Sequence, residues 1–298
     1  MLLGQPHQRQ LGIALICLTT LLFATLDACA KWLVQSLPVV QVVWLRFLTH
    51  VLITSALLAP QLGWGLVRVK NHRLQGLRGL LLATMTAMNF WALQYLQLAE
   101  TGAIQFSVPI LIAVLSAWWL SEHLDARRWL AILAGFAGVL VIIRPGAHSF
   151  HPAILLSLIN AVLFAIFNMM TRTLAQTDHP AATQWLSALV ATVVLAPFAL
   201  LQWRTPDHWL EWVVIAITGL CGGLGHFCLA LAHRYASAAV LGPFFYQQII
   251  YMTLWGWLLF DQVPDRAVVA GSLIVIVSGL YLLWRELRSS KLATALEP

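Results

Sequence analysis

The chain has 298 residues, of which 60% are hydrophobic and only 9% are charged. Soluble globular domains carry roughly 25% charged residues, so the composition excludes a water-soluble domain and indicates a protein embedded in lipid. The net charge is +6, but the Lys and Arg residues lie mainly between apolar runs, which favours membrane topology over nucleic-acid binding as their explanation.

The chain contains ten apolar runs, each close to the roughly 20 residues that a membrane-spanning helix needs. In order they cover residues 11–34, 39–59, 76–97, 101–121, 127–144, 153–174, 181–203, 210–232, 237–259 and 264–284. The runs are continuous rather than alternating, which favours helices over barrel strands. We therefore predict an all-α integral membrane protein with ten transmembrane helices. The polar tail over 287–298 is expected to be disordered and to lie outside the fold.

Basic residues concentrate in alternate connections of this predicted bundle. If the N-terminus lies in the cytoplasm, the only basic residues clearly on the outer side of the membrane are Arg144, Arg204 and Arg266. Lys31 lies near the outer end of the first helix. Cytoplasmic connections are enriched in Lys and Arg. We therefore expect both termini to be cytoplasmic.

Two stretches about 140 residues apart share one pattern: a start of small residues, a proline, an acidic turn and an apolar segment with spaced glycines. The first runs from Ala99 to Gly146 and contains Pro109; the second runs from Arg234 to Glu286 and contains Pro243. Five helices per half place the second half in the opposite orientation. The sequence thus predicts inverted repeats over 11–146 and 153–286, an arrangement that supports alternating access in secondary transporters.

The same stretches resemble the end of an EamA domain, the repeat unit of the drug/metabolite transporter superfamily. They read VPILIAVLSAWWLSEHLDARRWLAILAGFAGVLVIIRPG and ALAHRYASAAVLGPFFYQQIIYMTLWGWLLFDQVPD, the latter followed by GLYLLWRE. Lys31 and Arg46 fit the opening of the domain, whereas Asp261 in the second copy replaces Glu122 of the first. The resemblance covers about 12–286 and is specific to the superfamily rather than to a substrate.

This resemblance implies a ten-helix, multi-pass carrier of the bacterial inner membrane. Members move amino acids, other small metabolites or drugs, usually outward. The aromatic-amino-acid exporters of the YddG type are one branch, and the aromatic content of the helices permits it without fixing it.

Polar side chains inside membrane helices are costly, so each is a candidate functional residue. Asp27 and Lys31 are four residues apart on the first helix and therefore share a face. They either form a coupling site or pair and neutralise each other near the outer end of the helix. Arg46 and His50 share a face of the second helix in the same way. Arg46, near the outer interface by our count, either attracts a substrate carboxylate or ties helix ends together.

The third and eighth helices, which correspond in the two repeats, carry further candidates. Asn89 and Trp91 lie in the third helix, and His226 lies in the eighth beside Gly222, Gly223 and Gly225. The glycines allow a bend or close approach and leave room beside His226. These residues line a cavity in one interpretation and form interhelical packing and hydrogen bonds in the other.

The fourth, sixth and ninth helices supply uncharged polar and aromatic groups that suit a small organic substrate with a polar head. We predict that the substrate-binding residues here are Gln105, Asn160, Asn168, Tyr246, Gln247 and Tyr251. Pro109 and Pro243, with the glycines of the eighth helix, are expected to absorb the bends of transport. The alternative is that the polar groups only hold helices together.

The sequence shows no P-loop, no GxSxG and no HExxH, so neither ATP-driven transport nor an enzyme is expected. Cys17, Cys29, Cys221 and Cys228 lie in apolar runs without a CxxC partner and are expected to be inert thiols. The histidines near helix ends lack metal-ligand spacing. No cofactor, metal or nucleic acid is expected; the expected partners are a small-molecule substrate and the lipid bilayer. The oligomeric state is left open, a monomer being compatible with the sequence.

These observations predict a secondary transporter that exports small amino acids or related metabolites by alternating access. Multidrug efflux would call for an acidic residue facing the cavity, and only Asp27 lies deep in a predicted helix. A non-transporting scaffold or membrane enzyme would have its polar residues fully paired between helices and no cavity between the halves. The substrate, the coupling ion and the direction of transport are left open by the sequence.

Overall fold

The computed structural model describes residues 6–108, 110–111, 114–115, 126–144, 151–175, 177–235, 241 and 244–295. Within them the chain forms ten α-helices and one short 3₁₀ helix, and no strand. The helices are α1 Pro6–Leu33, α2 Val39–Leu62, α3 His72–Tyr95, α4 Leu98–Gln105, α5 Ala126–Ile143, α6 Ile154–Ala175, α7 Pro180–Leu201, α8 Trp209–Tyr235, α9 Gln248–Phe260 and α10 Arg266–Ala295.

Five stretches among the described residues are long and apolar enough to cross a membrane. They are Gln10–Leu33, Val39–Leu58, Ile154–Thr171, Ala181–Leu201 and Trp209–Leu229, on α1, α2, α6, α7 and α8. The described apolar parts of α5, α9 and α10 are shorter. The predicted all-helical membrane architecture is thus confirmed, whereas crossing of the membrane by all ten helices stays a prediction.

The packing of the helices repeats when the two halves of the chain are exchanged. α1 packs on α8 as α6 packs on α3, and α2 packs on α8 as α7 packs on α3. α2 packs on its counterpart α7, α4 on α9 and α5 on α10. The core of the bundle is therefore formed by contacts between helices of the two halves.

Small residues bring α5 and α10 into close contact. A Cβ added at Gly138 would lie 2.9 Å from the carbonyl oxygen of Gly271, and one added at Gly271 would lie 2.6 Å from that of Gly138. Ser278 donates a hydrogen bond to the carbonyl of Ala131 nearby. Contact of backbones through small residues is a common way for helices to associate in lipid, where there is no hydrophobic drive between them.

Hydrogen bonds join the connections at each end of the bundle. At one end, Gln41 and Arg204 bond in both directions, and Ser36 donates to Glu211 at 2.7 Å. At the other end, the backbone N–H of Lys70 donates to Asp178 at 2.9 Å. Each of these bonds joins segments that the sequence analysis assigns to the same side of the membrane.

The helix boundaries differ from the predicted runs where local chemistry extends or interrupts a helix. α10 continues to Ala295, so it includes most of the segment expected to be a disordered tail; residues 287–295 contain no Gly or Pro to end it. α4 stops at Gln105, where a turn at Phe106 and Ser107 precedes further helical residues. A similar turn at 246–247 precedes α9.

Candidate functional site

Five polar side chains from four helices meet in the interior of the bundle. We call Asp27 of α1, Arg46 and His50 of α2, Asn89 of α3 and His226 of α8 the central polar cluster. Arg46, His50 and His226 are only 3%, 2% and 7% exposed. The charge of Arg46 acts on Asp27 and on both imidazoles. The cluster is therefore formed by helices of both halves of the chain. Of these helices, α1, α2 and α8 contain stretches long and apolar enough to cross a membrane.

Two glycines of α8 make room for the side chains of α2. A Cβ added at Gly222 would lie 3.0 Å from Nη2 and 3.2 Å from Nε of Arg46. One added at Gly223 would lie 3.3 Å from Cδ2 of His50. Arg46 and His50 thus rest directly against the α8 backbone, which explains the clustered glycines better than a bend does.

The two imidazoles of the cluster lie nearly parallel. The rings of His50 and His226 are 6.4 Å apart between centroids with 13° between their planes, and Phe23 packs against His226 at 4.9 Å. His50 Nδ1 is buried without a hydrogen-bond partner. A buried imidazole with an unused nitrogen can donate to or accept from a polar ligand.

Arg46 is the most costly member of the cluster, because its guanidinium is buried and forms no ion pair with any residue that the structure describes. Nε and Nη1 are buried without a hydrogen-bond partner, and the guanidinium carbon lies 4.2 Å from the centroid of the Phe47 ring. A charge taken out of water is expensive unless it is paired and hydrogen-bonded. Donors left unused at this cost are typical of a site that a ligand completes.

Asp27 and Lys31 share a face of α1 but have different partners. Asp27 accepts a hydrogen bond from Nδ2 of Asn89 at 3.0 Å. Lys31 Nζ donates to the carbonyl oxygens of Leu93 and Leu96 at 2.7 and 2.6 Å. The neutralised Asp27–Lys31 pair that the spacing suggested is therefore wrong: Lys31 satisfies the last carbonyls of α3, which have no partner within their helix.

The residues predicted on the ninth helix lie on different sides of it. Gln247 donates to Thr20 of α1 at 3.0 Å and so joins α9 to the helix that carries Asp27. Tyr246 is buried, packs edge-on against Phe106 at 5.1 Å and points its hydroxyl at Gly279 of α10. Tyr251 is half-buried against the main core.

Other predicted residues lie apart from the central polar cluster. Trp91 is 41% exposed on the outer face of α3. Asn168 donates to the carbonyl of Phe164 on its own helix at 2.7 Å. Asn160 is buried on α6 with Oδ1 unpartnered, and Gln105 is half-buried at the end of α4. Pro109 and Pro243 lie outside the described residues.

Sequence reasoning missed a second buried arginine, Arg78 of α3, which is 0% exposed. Its Nε donates to Thr171 at 2.9 Å and its Nη1 to Ser187 at 2.6 Å, and it lies 4.1 Å from the centroid of the Phe167 ring. Arg78 falls inside the predicted run 76–97, and this position of a cation within an apolar run was the available signal.

A hydrogen-bonded carboxylate lies close by, in the connection before α7. Burial disfavours the charged Asp178 side chain, but the N–H of Lys70 and Nε2 of Gln75 donate to it and hold its pKa below the ordinary value. Gln75 also donates to Thr183 of α7 at 2.9 Å. This end of the bundle is therefore closed by a polar network in which Gln75 Nε2 bonds to Asp178 and Thr183 while Gln75 Oε1 has no partner.

The described residues contain no group of three or more His, Cys, Asp or Glu side chains able to hold a metal ion. The four cysteines are free; Cys221 and Cys228 are buried and the other two half-buried. What the central polar cluster offers is a fixed set of donors and acceptors.

Comparison with known families agrees with this architecture. The EamA-like transporter family matches twice, over residues 10–144 and 151–285. The chain belongs to this family. It is a membrane transporter of the drug/metabolite transporter superfamily and not an enzyme. The relatives are bacterial, and a multi-pass protein of the bacterial inner membrane agrees with the apolar helices described above.

Related transporters carry different cargoes. An S-adenosylmethionine uptake transporter of Rickettsia bellii is 25% identical over 279 residues, 93% of this chain and 94% of that protein. A riboflavin transporter of Vibrio cholerae is 28% identical over 251 residues, 84% of this chain and 81% of the relative. The pseudopaline exporter CntI of Pseudomonas aeruginosa is 26% identical over 272 residues, covering 91% and 95%.

One solved crystal structure superposes with a TM-score of 0.64 at 20% identity, covering 94% of this chain and 98% of that chain. This likeness shows the fold alone. The family assignment itself rests on the two sequence matches.

Proposed function

We propose that this protein is a secondary transporter that exports small amino acids or related metabolites by alternating access. The observation that carries the proposal is the central polar cluster: buried charged and polar groups, with unused donors, between apolar helices of both halves. Polar groups are expensive inside a membrane and mark substrate or ion pathways. Sites of this kind at the interface of two repeats are typical of secondary transporters.

The proposed topology has ten membrane-spanning helices in two inverted repeats, 11–146 and 153–286, with both termini in the cytoplasm. Three observations support it. The helix packing repeats when the halves are exchanged, and the two family matches divide the chain at nearly the same place. Hydrogen bonds between connections also join only segments assigned to one side.

The cargo proposed is a small molecule with both charges of an amino acid. Arg46, which lies against Gly222, offers unused N–H donors, and Asp27, which accepts from Asn89, offers a carboxylate on which the charge of Arg46 acts. Among the relatives, the Rickettsia protein takes up S-adenosylmethionine, which bears an amino-acid group. The relatives include importers as well as an exporter, so outward transport is the part of the proposal most in need of a direct test.

The proposed motion is a rocking of helix groups around the cluster, which requires contacts that can part. Gln247–Thr20 is one such contact, a single hydrogen bond between α9 and α1. A second is the contact of α8 with α1 and α2, where side chains lie directly against the backbone at Gly222, Gly223 and Gly225. Pro109 and Pro243 keep their predicted role as sites of bending.

The test is uptake into proteoliposomes with a panel of labelled amino acids, with and without a pH gradient. We expect saturable transport of a subset of the panel, which His226→Ala abolishes because His226 lies in the cluster. His208→Ala is the matched control, since His208 is exposed at the start of α8. Wild-type protein that is folded but moves no amino acid would show that the cargo is wrong.

A further inference from the structure

The protein contains two deeply buried arginines in equivalent groups of three helices, although the two helices that carry them do not correspond. Arg46 lies where α2 meets α1 and α8, and Arg78 lies where α3 meets α6 and α7. When the two halves of the chain are exchanged, α1, α2 and α8 correspond to α6, α7 and α3, so the two groups of three helices are equivalent. Each guanidinium also stacks on a phenylalanine, at 4.2 Å for Arg46 and 4.1 Å for Arg78. The chain therefore provides its own comparison of two buried cations in similar surroundings.

The two arginines differ in what satisfies their donors. Arg78 donates to the hydroxyls of Thr171 and Ser187 and to the carbonyl of Thr183, which lies 3.4 Å away. These neutral acceptors belong to α6 and α7 and fix the guanidinium in the closed packing of the bundle. Arg78 is therefore held within the protein through Nε and Nη1, and only its Nη2 is buried without a partner.

Arg46 has no such acceptors at Nε and Nη1. Its surroundings are the α8 backbone at Gly222, the methyl group Cδ1 of Leu26 and the ring of Phe47. The charge of Arg46 also acts on the imidazoles of His50 and His226, and the nearby carboxylate of Asp27 already accepts from Asn89. The missing partner of Arg46 is thus an anion that can accept from its unused N–H groups, and a carboxylate is such an acceptor.

We propose that Arg46 binds the carboxylate of the transported molecule and that Asp27, held by Asn89, receives its ammonium group. The protein then selects substrates that carry an ionised α-amino acid group, whatever their side chain. This assignment rests on the proposed function and names the chemistry of that same site. It also predicts rejection of amines and amides that share the side chain but lack the carboxylate, because the buried arginine would stay unpaired.

The experiment measures equilibrium binding to purified wild-type protein in detergent, which depends on neither membrane permeation nor energy coupling. The probes are labelled L-phenylalanine and labelled S-adenosylmethionine. Competitors are phenylalaninamide, 2-phenylethylamine and decarboxylated S-adenosylmethionine, with riboflavin as a compound without any carboxylate. We expect at least one labelled probe to bind and its carboxylate-free counterpart to compete at least about 100-fold less well.

Variants then locate the effect. Arg46→Gln is expected to lose probe binding by about 100-fold, and Arg46→Lys, which keeps the charge without the planar fork, by a smaller factor. Arg78→Lys is the matched control, a buried arginine of the equivalent group of helices that is not expected to change the affinity. Thermal melting of each variant confirms that it is folded before its binding is compared.

The outcomes separate this assignment from the transport proposal. If amides and amines compete within a few-fold of the amino acids, or if folded Arg46→Gln binds normally, the assignment is overturned even where wild-type transport of amino acids is observed. If riboflavin binds and no labelled probe does, or if nothing binds, the assignment and the proposed cargo fail together.

Discussion

Replacement of a buried arginine by glutamine should lower the stability of the protein at Arg78 but not at Arg46. In Arg78→Gln, two short hydrogen bonds are lost, to Thr171 at 2.9 Å and to Ser187 at 2.6 Å, together with the stack on Phe167. At about 1 kcal/mol for each hydrogen bond and about 1 kcal/mol for the cation–π contact, the loss is about 3 kcal/mol.

Arg46→Gln removes a buried charge whose Nε and Nη1 have no hydrogen-bond partner. The loss of the Phe47 stack, about 1 kcal/mol, is offset by relief of the desolvated charge, which costs several kcal/mol when unpaired. We expect this variant to be as stable as the wild type or more stable. Functional residues often lower stability in this way.

The assay is thermal melting of both purified variants in one detergent, without any added substrate. About 3 kcal/mol corresponds to a fall in Tm on the order of 5–10 °C for Arg78→Gln, against no fall for Arg46→Gln. An equal fall for both variants would refute the reasoning, because it would mean that Arg46 is stabilised by the fold as well as Arg78 is.

Three further predictions concern packing, pH and the site. Gly138→Ala places a Cβ 2.9 Å from a backbone carbonyl of α10 and should lower stability by about 1–3 kcal/mol in a melting assay. Gly76→Ala, with nothing within 4 Å of the added Cβ, should be neutral or slightly stabilising; an equal loss in both would contradict the α5–α10 packing. Because the pKa of Asp178 lies below its ordinary 3.8, its contribution to stability is present above that value and is lost as the pH falls through the folded-state pKa. Asp178→Asn should therefore lose less Tm than the wild type does on acidification below about pH 4, and parallel Tm–pH curves would contradict this. Gly222→Ala, which displaces the Arg46 side chain, should weaken substrate binding by about tenfold with little change in Tm; unchanged affinity would argue against ligand contact there.

The existence and type of the helices followed from the sequence because lipid leaves a long apolar run few alternatives to a helix. The boundaries followed less well. The turn at Phe106 and Ser107 lies inside the run 101–121, where Gln105, Ser107 and Pro109 stand among apolar residues, and hydropathy averaged over the run does not show it. At the other extreme, polar composition suggested disorder after residue 287, whereas the local propensity of residues 287–295 continues α10.

Partner choice within the bundle could not be read from spacing along one helix. Asp27 and Lys31 share a face, yet Lys31 reaches the end of α3 and Asp27 reaches Asn89. Spacing predicts which residues can meet, but the distance between helices decides which of them do. The sequence did show that small residues of α8 leave room beside His226, and the structure places Arg46, His50 and Phe23 against those glycines; a binding role for His226 stays a prediction.

Arg46 and Arg78 show the same limit from another side. Both are single cations in apolar runs, and the sequence alone does not distinguish their roles. What separates them is the set of hydroxyls on α6 and α7 that surrounds Arg78, and those residues are about 90 to 110 positions away in the chain. Only the folded arrangement shows that Arg46 lacks acceptors at Nε and Nη1, whereas Arg78 lacks one only at Nη2.

The most direct test of the central claim is counterflow in proteoliposomes that contain the wild type or Arg46→Gln. The vesicles are preloaded with a high concentration of an unlabelled amino acid that the wild type binds, and then diluted into a trace of the labelled compound. A carrier with one site that faces each side in turn predicts transient accumulation of label above equilibrium in the wild type and none in Arg46→Gln. Accumulation that is equal in both would contradict the site, and its absence in folded wild-type protein would contradict transport of amino acids by this chain.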